Sequence, residues 1–387
     1  MERYLMARRT AEIAGAGLSG LTLATRLAQL GWQVRLHERN PELRMFGAGI
    51  WLWESGLKTL EMLGAFDQAT AKARFIREWR IEDERGTVLM ARNFTQADRM
   101  LLPPRADLYE ALIAQARAAG VDIVTSSLAI GMTPEGTMAM EDGSECKADL
   151  VVAADGAYSR LREAIFGTSW MDFGVEAGIR MMIDRNDDDP DDSIIEYWNG
   201  KRRLLYNPCT EGQDYIFLSA PVGDDKGSQL PIDREFWTEQ FPFCADLIAR
   251  FQEAGRWDRL VNVRCRKWTA GHAAIIGDAA HAMPPNLGQA ANTAFINAMA
   301  LADELEKSKD VPTALERWES RQRPITNHVQ WWSYIYGLTI NRWPEPIANL
   351  RSDVLAWLGK TRWLEDGVGR GANVIPAGMG SAKRLTR

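Results

Sequence analysis

The sequence predicts an α/β fold: a mostly parallel sheet of βαβ units, an inserted antiparallel sheet, and a helical C-terminal region. Three observations carry this. Residues 10–14 read as a short strand that runs into GAGLSG (15–20), a helical pattern over 18–30 and a second, alternating strand over 34–39. The same strand–turn–helix order recurs twice, at the apolar run 150–153 before Asp155–Gly156 and at 273–276 before Gly277. From Gly174 to Arg266 the pattern changes to short alternating segments at 178–184, 194–198, 203–206 and 215–220, the period of half-buried antiparallel strands.

In the first unit the glycines have distinct roles. Gly15 permits the tight turn out of the strand, Gly17 lets the backbone approach a pyrophosphate, and Gly20 allows close helix–sheet packing. Glu38 ends the next strand about 20 positions on, where a carboxylate binds both ribose hydroxyls of an adenosine and repels a 2′-phosphate. A lone G-x-G-x-x-G is a weak signal. Set between strand and helix, with that acidic residue downstream, it marks a Rossmann-like dinucleotide site. A second glycine-bearing loop, 44–50 (RMFGAGI), precedes a helical stretch over 55–64; its glycines either admit a planar ring edge or serve as ordinary turn residues. Residues 74–90 alternate as a hairpin turning at Arg85–Gly86. Pro103–Pro104 breaks the chain, and Arg105 opens a helix that stops at Gly120. A strand over 121–126 and a small hairpin over 132–147 follow, and Ser159 is placed to cap the helix after Asp155–Gly156. The acidic run 187–192 reads as a solvated loop, and 236–257 as a helix.

The stretch 277–292, GDAAHAMPPNLGQAAN, joins a strand to an Ala-rich helix over 290–307. Free N–H groups and the positive dipole end at that helix start stabilise an anionic or polarised ligand group. Asp278, at the strand end, can accept hydrogen bonds from hydroxyls. A loop before a buried helix is the competing, purely structural reading. Beyond Pro324 the chain is largely helical and Trp-rich through Trp363, with a Gly-rich tail from Gly367. The expected division is a nucleotide-binding part (1–75, 104–173 and 267–325), a substrate-binding sheet part (76–103 and 174–266) and a helical segment (326–387).

Composition narrows the class. With 46% hydrophobic and 25% charged residues in 387, the chain has the make-up of a soluble enzyme of two or three domains. A net charge of −6 gives no reason to expect nucleic acid or an anionic membrane as partner. No apolar run approaches the roughly 18 residues of a spanning helix, and no signal-peptide core follows the N-terminus, so a cytoplasmic location is expected. Cys146, Cys209, Cys244 and Cys265 lie far apart without a C-x-x-C pair, which leaves no expected metal site. Fifteen tryptophans suit core packing, with some available to wall an aromatic pocket.

Together, GAGLSG with Glu38, AADGAYSR (153–160) and GDAAHAMPPNLGQ (277–289) resemble the class A, para-hydroxybenzoate hydroxylase-like flavin-dependent aromatic monooxygenases over nearly the whole chain. The resemblance implies that Gly15, Gly17, Leu18, Ser19, Gly20 and Glu38 bind the ADP part of FAD, with Arg39, Arg44 and Gly49 also in the cofactor set. It implies that Asp155 and Gly156 serve both FAD and NAD(P)H, and that Arg105 opens the helix contacting FAD. Asp278 then meets the ribityl chain, Pro285 stands beside the flavin ring, and Gly288, Gln289, Ala290, Ala291 and Asn292 complete that wall. Four positions depart from the family pattern: Ala153 and Ala290 for Gly, Ser55 for Asn, and Asn297 for an acidic residue. Within the family, VRLHERNPELRMFGAGI (34–50), LLYNPC (204–209), PIDREFWTEQFPF (231–243) and RQRPIT (321–326) are most similar to the pyridine-ring oxygenases typified by 2-methyl-3-hydroxypyridine-5-carboxylate oxygenase. By that likeness Arg180, Arg203 and Tyr215 fall at pocket positions. Ile76 and Leu260 replace two pocket tyrosines, which suggests a less polar or differently substituted ring.

The implied reaction uses NADH or NADPH and O2 to hydroxylate, or to ring-open, a small aromatic or N-heteroaromatic acid through a flavin C4a-hydroperoxide. With a single dinucleotide fingerprint in the chain, NAD(P)H is expected to bind transiently. Arg180 or Arg203 can hold a substrate carboxylate or phenolate and Tyr215 a ring hydroxyl or nitrogen. With Pro285 these form the expected catalytic set, and for each arginine a salt bridge inside the sheet is the competing reading. His281 reads as structural. A homo-oligomer is compatible with the sequence. The alternative function is a flavoprotein reductase or dehydrogenase of the same fold without oxygen insertion, and WLWES (51–55) does not reproduce the signature of a flavin halogenase.

Overall fold

The computed structural model describes residues 8–43, 48–172, 174–253 and 255–379. Among these, six strands form one sheet in the order Thr269–Ala270, Ala273–Ile275, Leu150–Ala153, Thr10–Ala14, Gln33–His37, Asp122–Val124. Neighbours are parallel except the first pair. Helices cover this sheet, so its central strands are buried on both faces and read as apolar runs rather than alternations. Helices Leu18–Gln29 and Ala290–Lys307 pack against each other beside it.

Register sets the site. Ala14 pairs with Ala153, and Ala153 with Ile275, so three chain segments leave the sheet side by side at its carboxyl edge. Gly15 turns there with φ +107°, and a Cβ on it would stand 2.3 Å from the Ala154 carbonyl oxygen. A Cβ on Gly20 would stand 2.0 Å from the Gly15 carbonyl oxygen. The two glycines therefore fulfil the turn and packing roles read from the motif.

Seven strands form the second sheet, in the order Asp258–Arg259, Glu176–Asp184, Gln213–Pro221, Arg202–Pro208, Ser193–Asn199, Glu78–Asp83, Val88–Asn93. It is antiparallel except where Ser193–Asn199 runs parallel to Glu78–Asp83. The C-terminal region holds the helices Val311–Asn341, Ala348–Leu358 and Arg362–Gly369. The first runs 31 residues straight through Pro324. Among the described residues, no helix is long and apolar enough to cross a membrane.

Two expectations differ in detail. The helix read over 236–257 is only Arg234–Gln240, a 3-10 turn Pro242–Cys244 and the short Ala245–Ala249. Pro242 lacks an N–H and drives the preceding residue out of helical geometry, and Phe241 sits at φ −133°, ψ 67°. The hairpin read over 132–147 is a three-stranded meander, Ala129–Met132, Thr137–Met140 and Glu145–Lys147, folded at the two expected turns. Tryptophans serve mainly as core: Trp53, Trp79, Trp237, Trp268 and Trp318 are fully buried.

Gly20→Ala overfills the Gly15 contact without touching any ligand. It should lower unfolding stability by about 1–3 kcal/mol, read from urea denaturation, with flavin content falling in parallel.

Candidate active site

The three segments at the sheet edge open into a cavity of about 480 Å3 that extends to the second sheet. One end is lined by Gly17, Leu18, Ser19, Gly156, Arg105 and Asp278, and the other by Arg180, Leu205, Tyr215, Phe217 and Leu260. Pro285, Gly288, Ala290 and Ala291 form the wall between them.

At the first end, helix Leu18–Gln29 begins at Gly17 with no side-chain cap, so its first N–H groups face the cavity unpaired. A Cβ on Gly17 or Gly156 would meet nothing within 4 Å, whereas Gly15 and Gly20 are crowded by protein backbone. Open space at those two glycines is what a closely approaching phosphate requires. Glu38 accepts hydrogen bonds from the Ala16 N–H at 3.1 Å and the Asn40 N–H at 3.0 Å, which fixes its carboxylate beside the turn with lone pairs to spare. Asp155 follows the Ala153 strand end, with its Oδ1 buried and unpartnered.

Further in, Asp278 and Arg105 face each other electrostatically. Water reaches the Asp278 carboxylate from the cavity while protein encloses its other sides; burial raises its pKa and Arg105 opposes the rise. Burial lowers the Arg105 pKa, the like charge of Arg180 lowers it further, and Asp278 counters both. The buried Arg105 Nε has no hydrogen-bond partner. A buried orphan donor, the uncapped helix start at Gly17, open space at Gly17 and Gly156 and an excess of positive charge fit an elongated ligand carrying a pyrophosphate and hydroxyls.

The wall owes its shape to Gly288, which turns with φ +61°; a Cβ there would stand 2.4 Å from the Trp51 ring. Asn292 and Gln289 do not face the cavity. Asn292 donates to the carbonyls of Trp51 (3.0 Å) and Gly288 (3.1 Å) and accepts from the Trp53 N–H (3.1 Å), stapling two loops together. Gln289 donates to the Val368 carbonyl at 2.7 Å. Their expected place on the ligand side is thus corrected: neither side chain lines the cavity, and both amide groups donate to backbone. Gly49 backs Tyr215, whose Cδ1 would lie 2.9 Å from a Cβ there. Arg39 is exposed, and Arg44 lies outside the described residues.

At the far end the two arginines divide. Arg203 is 2% exposed and bound by Glu176 (2.6 Å), Glu196 (3.2 Å), Ser219 (2.9 Å) and Asn286 (2.9 Å). Its charge is matched twice over, so the salt-bridge reading holds for Arg203. Arg180 instead lies 5.1 Å over the Phe217 ring and beside the Tyr215 side chain. Burial raises the Tyr215 pKa and Arg180 pulls it back. Leu260 lines the cavity, but Ile76 is buried under the Trp53–Trp79 cluster and reaches no ligand. The sequence reading missed Trp51, whose indole N–H donates to Asn207 at 2.8 Å, and the rim residues Arg256, Asp258 and Arg259. Trp51 carries no local signal because its partner Asn207 is distant in sequence, and Arg256 pairs with its near neighbour Asp258 at 2.8 Å.

A sequence model of an FAD binding domain matches residues 8–332, and the uncapped Gly17 turn stands inside that match. The chain belongs to the FAD-binding-domain family. It is 37% identical over 366 residues to 2-heptyl-3-hydroxy-4(1H)-quinolone synthase of Mycobacteroides abscessus, covering 91% of this chain and 95% of that one. It is 25% identical over 339 residues to 6-hydroxynicotinate 3-monooxygenase of Bordetella bronchiseptica, covering 82% and 88%. The tetrameric form of 2-methyl-3-hydroxypyridine-5-carboxylic acid oxygenase superposes with a TM-score of 0.84 at 36% identity, covering 96% and 97%. This flavoprotein is accordingly a monooxygenase of the aromatic hydroxylase class, acting on aromatic substrates with FAD as cofactor.

His281, on the back of the Asp278 turn, is held neutral by burial, with its pKa pushed down to about 4, and its Nε2 is 2.9 Å from Asn297 Nδ2. Below its ordinary value of 6.5 the unfolded imidazole takes up a proton that the folded one refuses, so stability falls as pH drops from 6.5 towards about 4. Asp214, pushed up to about 6 by burial, acts in the opposite sense over its own window. Comparison with His281→Gln isolates the histidine: the wild-type advantage should shrink by about 2 kcal/mol from pH 7.5 to pH 5 in denaturant titrations. Separately, if Glu38 holds the adenosine ribose as its motif position implies, Glu38→Ala should weaken FAD binding roughly 10-fold or more, read from flavin fluorescence.

Proposed function

We propose that the monooxygenase uses NAD(P)H and O2 to hydroxylate an N-heteroaromatic ring that bears an acidic oxygen, of the pyridinol or 4-quinolone kind. The balance is substrate C–H, O2, NAD(P)H and a proton giving substrate C–OH, water and NAD(P)+. The observation that carries this reading is Arg180 beside Tyr215 in the cavity: no described carboxylate pairs with Arg180. A ring oxygen held there is stabilised as its anion, which enriches the ring carbons that accept oxygen. Leu205, Phe217, Leu260 and Met283 enclose the ring and exclude water. The names of two relatives at 36–37% identity, a quinolone synthase and a pyridinecarboxylic acid oxygenase, support a nitrogen heterocycle.

Bound FAD supplies the electron transfer and oxygen activation. This chain's own residues hold it: the Gly17 turn and Gly156 for the pyrophosphate, Glu38 for the adenosine ribose, Asp278 and Arg105 for the polar chain, and Pro285 to Ala291 for the ring. Asp278 is suited to hydroxyls because its carboxylate takes no hydrogen bond from the described residues. With no second dinucleotide fingerprint, NAD(P)H is read as a transient visitor.

The test is a panel of pyridinols, 4-quinolones and hydroxybenzoates scored for stimulated NAD(P)H oxidation, with product mass after reaction in 18O2. Label in a hydroxylated heterocycle supports the reading. Stimulation without label would show a reductase, and ring opening would show in the mass. Arg180→Ala should raise KM at least about 10-fold for the best substrate, with flavin content retained. Tyr215→Phe should lower kcat/KM less, and Arg203→Ala should act chiefly on stability, since it leaves two buried carboxylates unpaired.

A further inference from the structure

Helix Ala348–Leu358 buries one side and leaves apolar side chains exposed on the other. Its inner side is docked on the sheet edge Val88–Asn93: Arg351 and Ser352 are 2% and 1% exposed, and Arg351 donates to the Gly200 carbonyl at 2.8 Å. The fit is tight enough that a Cβ on Gly359, just past the helix, would stand 2.3 Å from the Leu89 carbonyl oxygen. The outer side therefore has no freedom to turn inward. On it, Ile347, Leu350, Val354 and Trp357 are 44%, 52%, 37% and 67% exposed.

Spacings of four and three residues place Leu350, Val354 and Trp357 along one stripe of the helix surface, with Ile347 at the N-cap just before it. Trp363, at the start of the next helix, is 62% exposed. Together the five side chains present on the order of 500 Å2 of apolar surface, at the upper end of what a lone soluble protein shows.

We propose that this stripe is the contact between two copies of the chain, paired antiparallel about a two-fold axis. A three-four seam is complementary to itself, and a two-fold pairing closes after two copies. Pairing would remove roughly 1,000 Å2 from water before any rim is counted, the scale at which specific interfaces begin. Charge argues against an anionic bilayer as the occupant. The chain carries −6 overall, and the exposed charges in and beside the helix are mixed, Asp353, Glu365 and Asp366 with Lys360 and Arg362, so no basic patch frames the stripe. The inference does not rest on the substrate reading, and flavin content and turnover are read separately from mass.

The experiment is sedimentation velocity on the full-length, FAD-loaded protein over a wide concentration range. Wild type should sediment as a dimer or higher even oligomer. Leu350→Glu combined with Trp357→Glu should halve the mass with flavin content retained, while Ile130→Glu, at an exposed apolar side chain on another element, should leave it unchanged. Val354→Cys gives a measurement that survives poor folding of the double variant: under mild oxidation it should yield a covalent dimer on a denaturing gel, where Ile130→Cys does not. A monomeric wild type, a double variant of unchanged mass, or no cross-link at Val354→Cys would each overturn the proposal. So would a monomer that floats with phosphatidylcholine vesicles, which would assign the stripe to lipid.

Discussion

Everything in the cofactor half depends on one backbone ladder. Ala14 beside Ala153 and Ala153 beside Ile275 bring together chain segments more than a hundred residues apart, ending them at the same level. A slip of one residue would turn every side chain to the opposite face and separate the three turns. Gly15 exists to let Ala154 come that close, and Gly20 lets the following helix sit on the turn. The open glycines, Gly17 and Gly156, are then left to line the cavity.

The second sheet is governed by a different interaction. Arg203, Glu176 and Glu196 form a buried cluster between the second sheet, the Pro285 turn and the long C-terminal helix. Asn286 accepts from Arg203 and donates to the Ser333 carbonyl at 2.8 Å, and the Tyr336 hydroxyl meets Glu196 at 2.7 Å. Buried charges contribute little net stability when paired and cost several kcal/mol when one partner is lost. What such a cluster does provide is position. It fixes the turn that walls the cavity relative to the sheet that carries Arg180 and Tyr215.

Much of this was legible in the residue pattern. The apolar runs, the glycine spacing and Glu38 announced the parallel sheet and its nucleotide turn, because those features are set by local sterics and by two-sided burial. The alternating segments after Gly174 announced the second sheet for the same reason. The helix read over 236–257 failed at Pro242, a local rule outvoted there by the apolar content around it. Residues whose role depends on distant partners were less legible. Asn292 looks like a ligand residue in its motif, yet it spends its side chain on Trp51 and Trp53. Trp51 carries no motif, yet it lines the cavity because Asn207 holds its indole.

The sequence by itself determined the fold class and the cofactor, since strand burial, turn geometry and phosphate approach each demand particular residues at fixed short spacings. Only the tertiary structure decided between the two arginines, turned Gln289 and Asn292 away from the ligand and left an apolar helix stripe facing outward. Charge pairing, side-chain direction and exposure are properties of neighbours brought from elsewhere in the chain, and no local spacing encodes them.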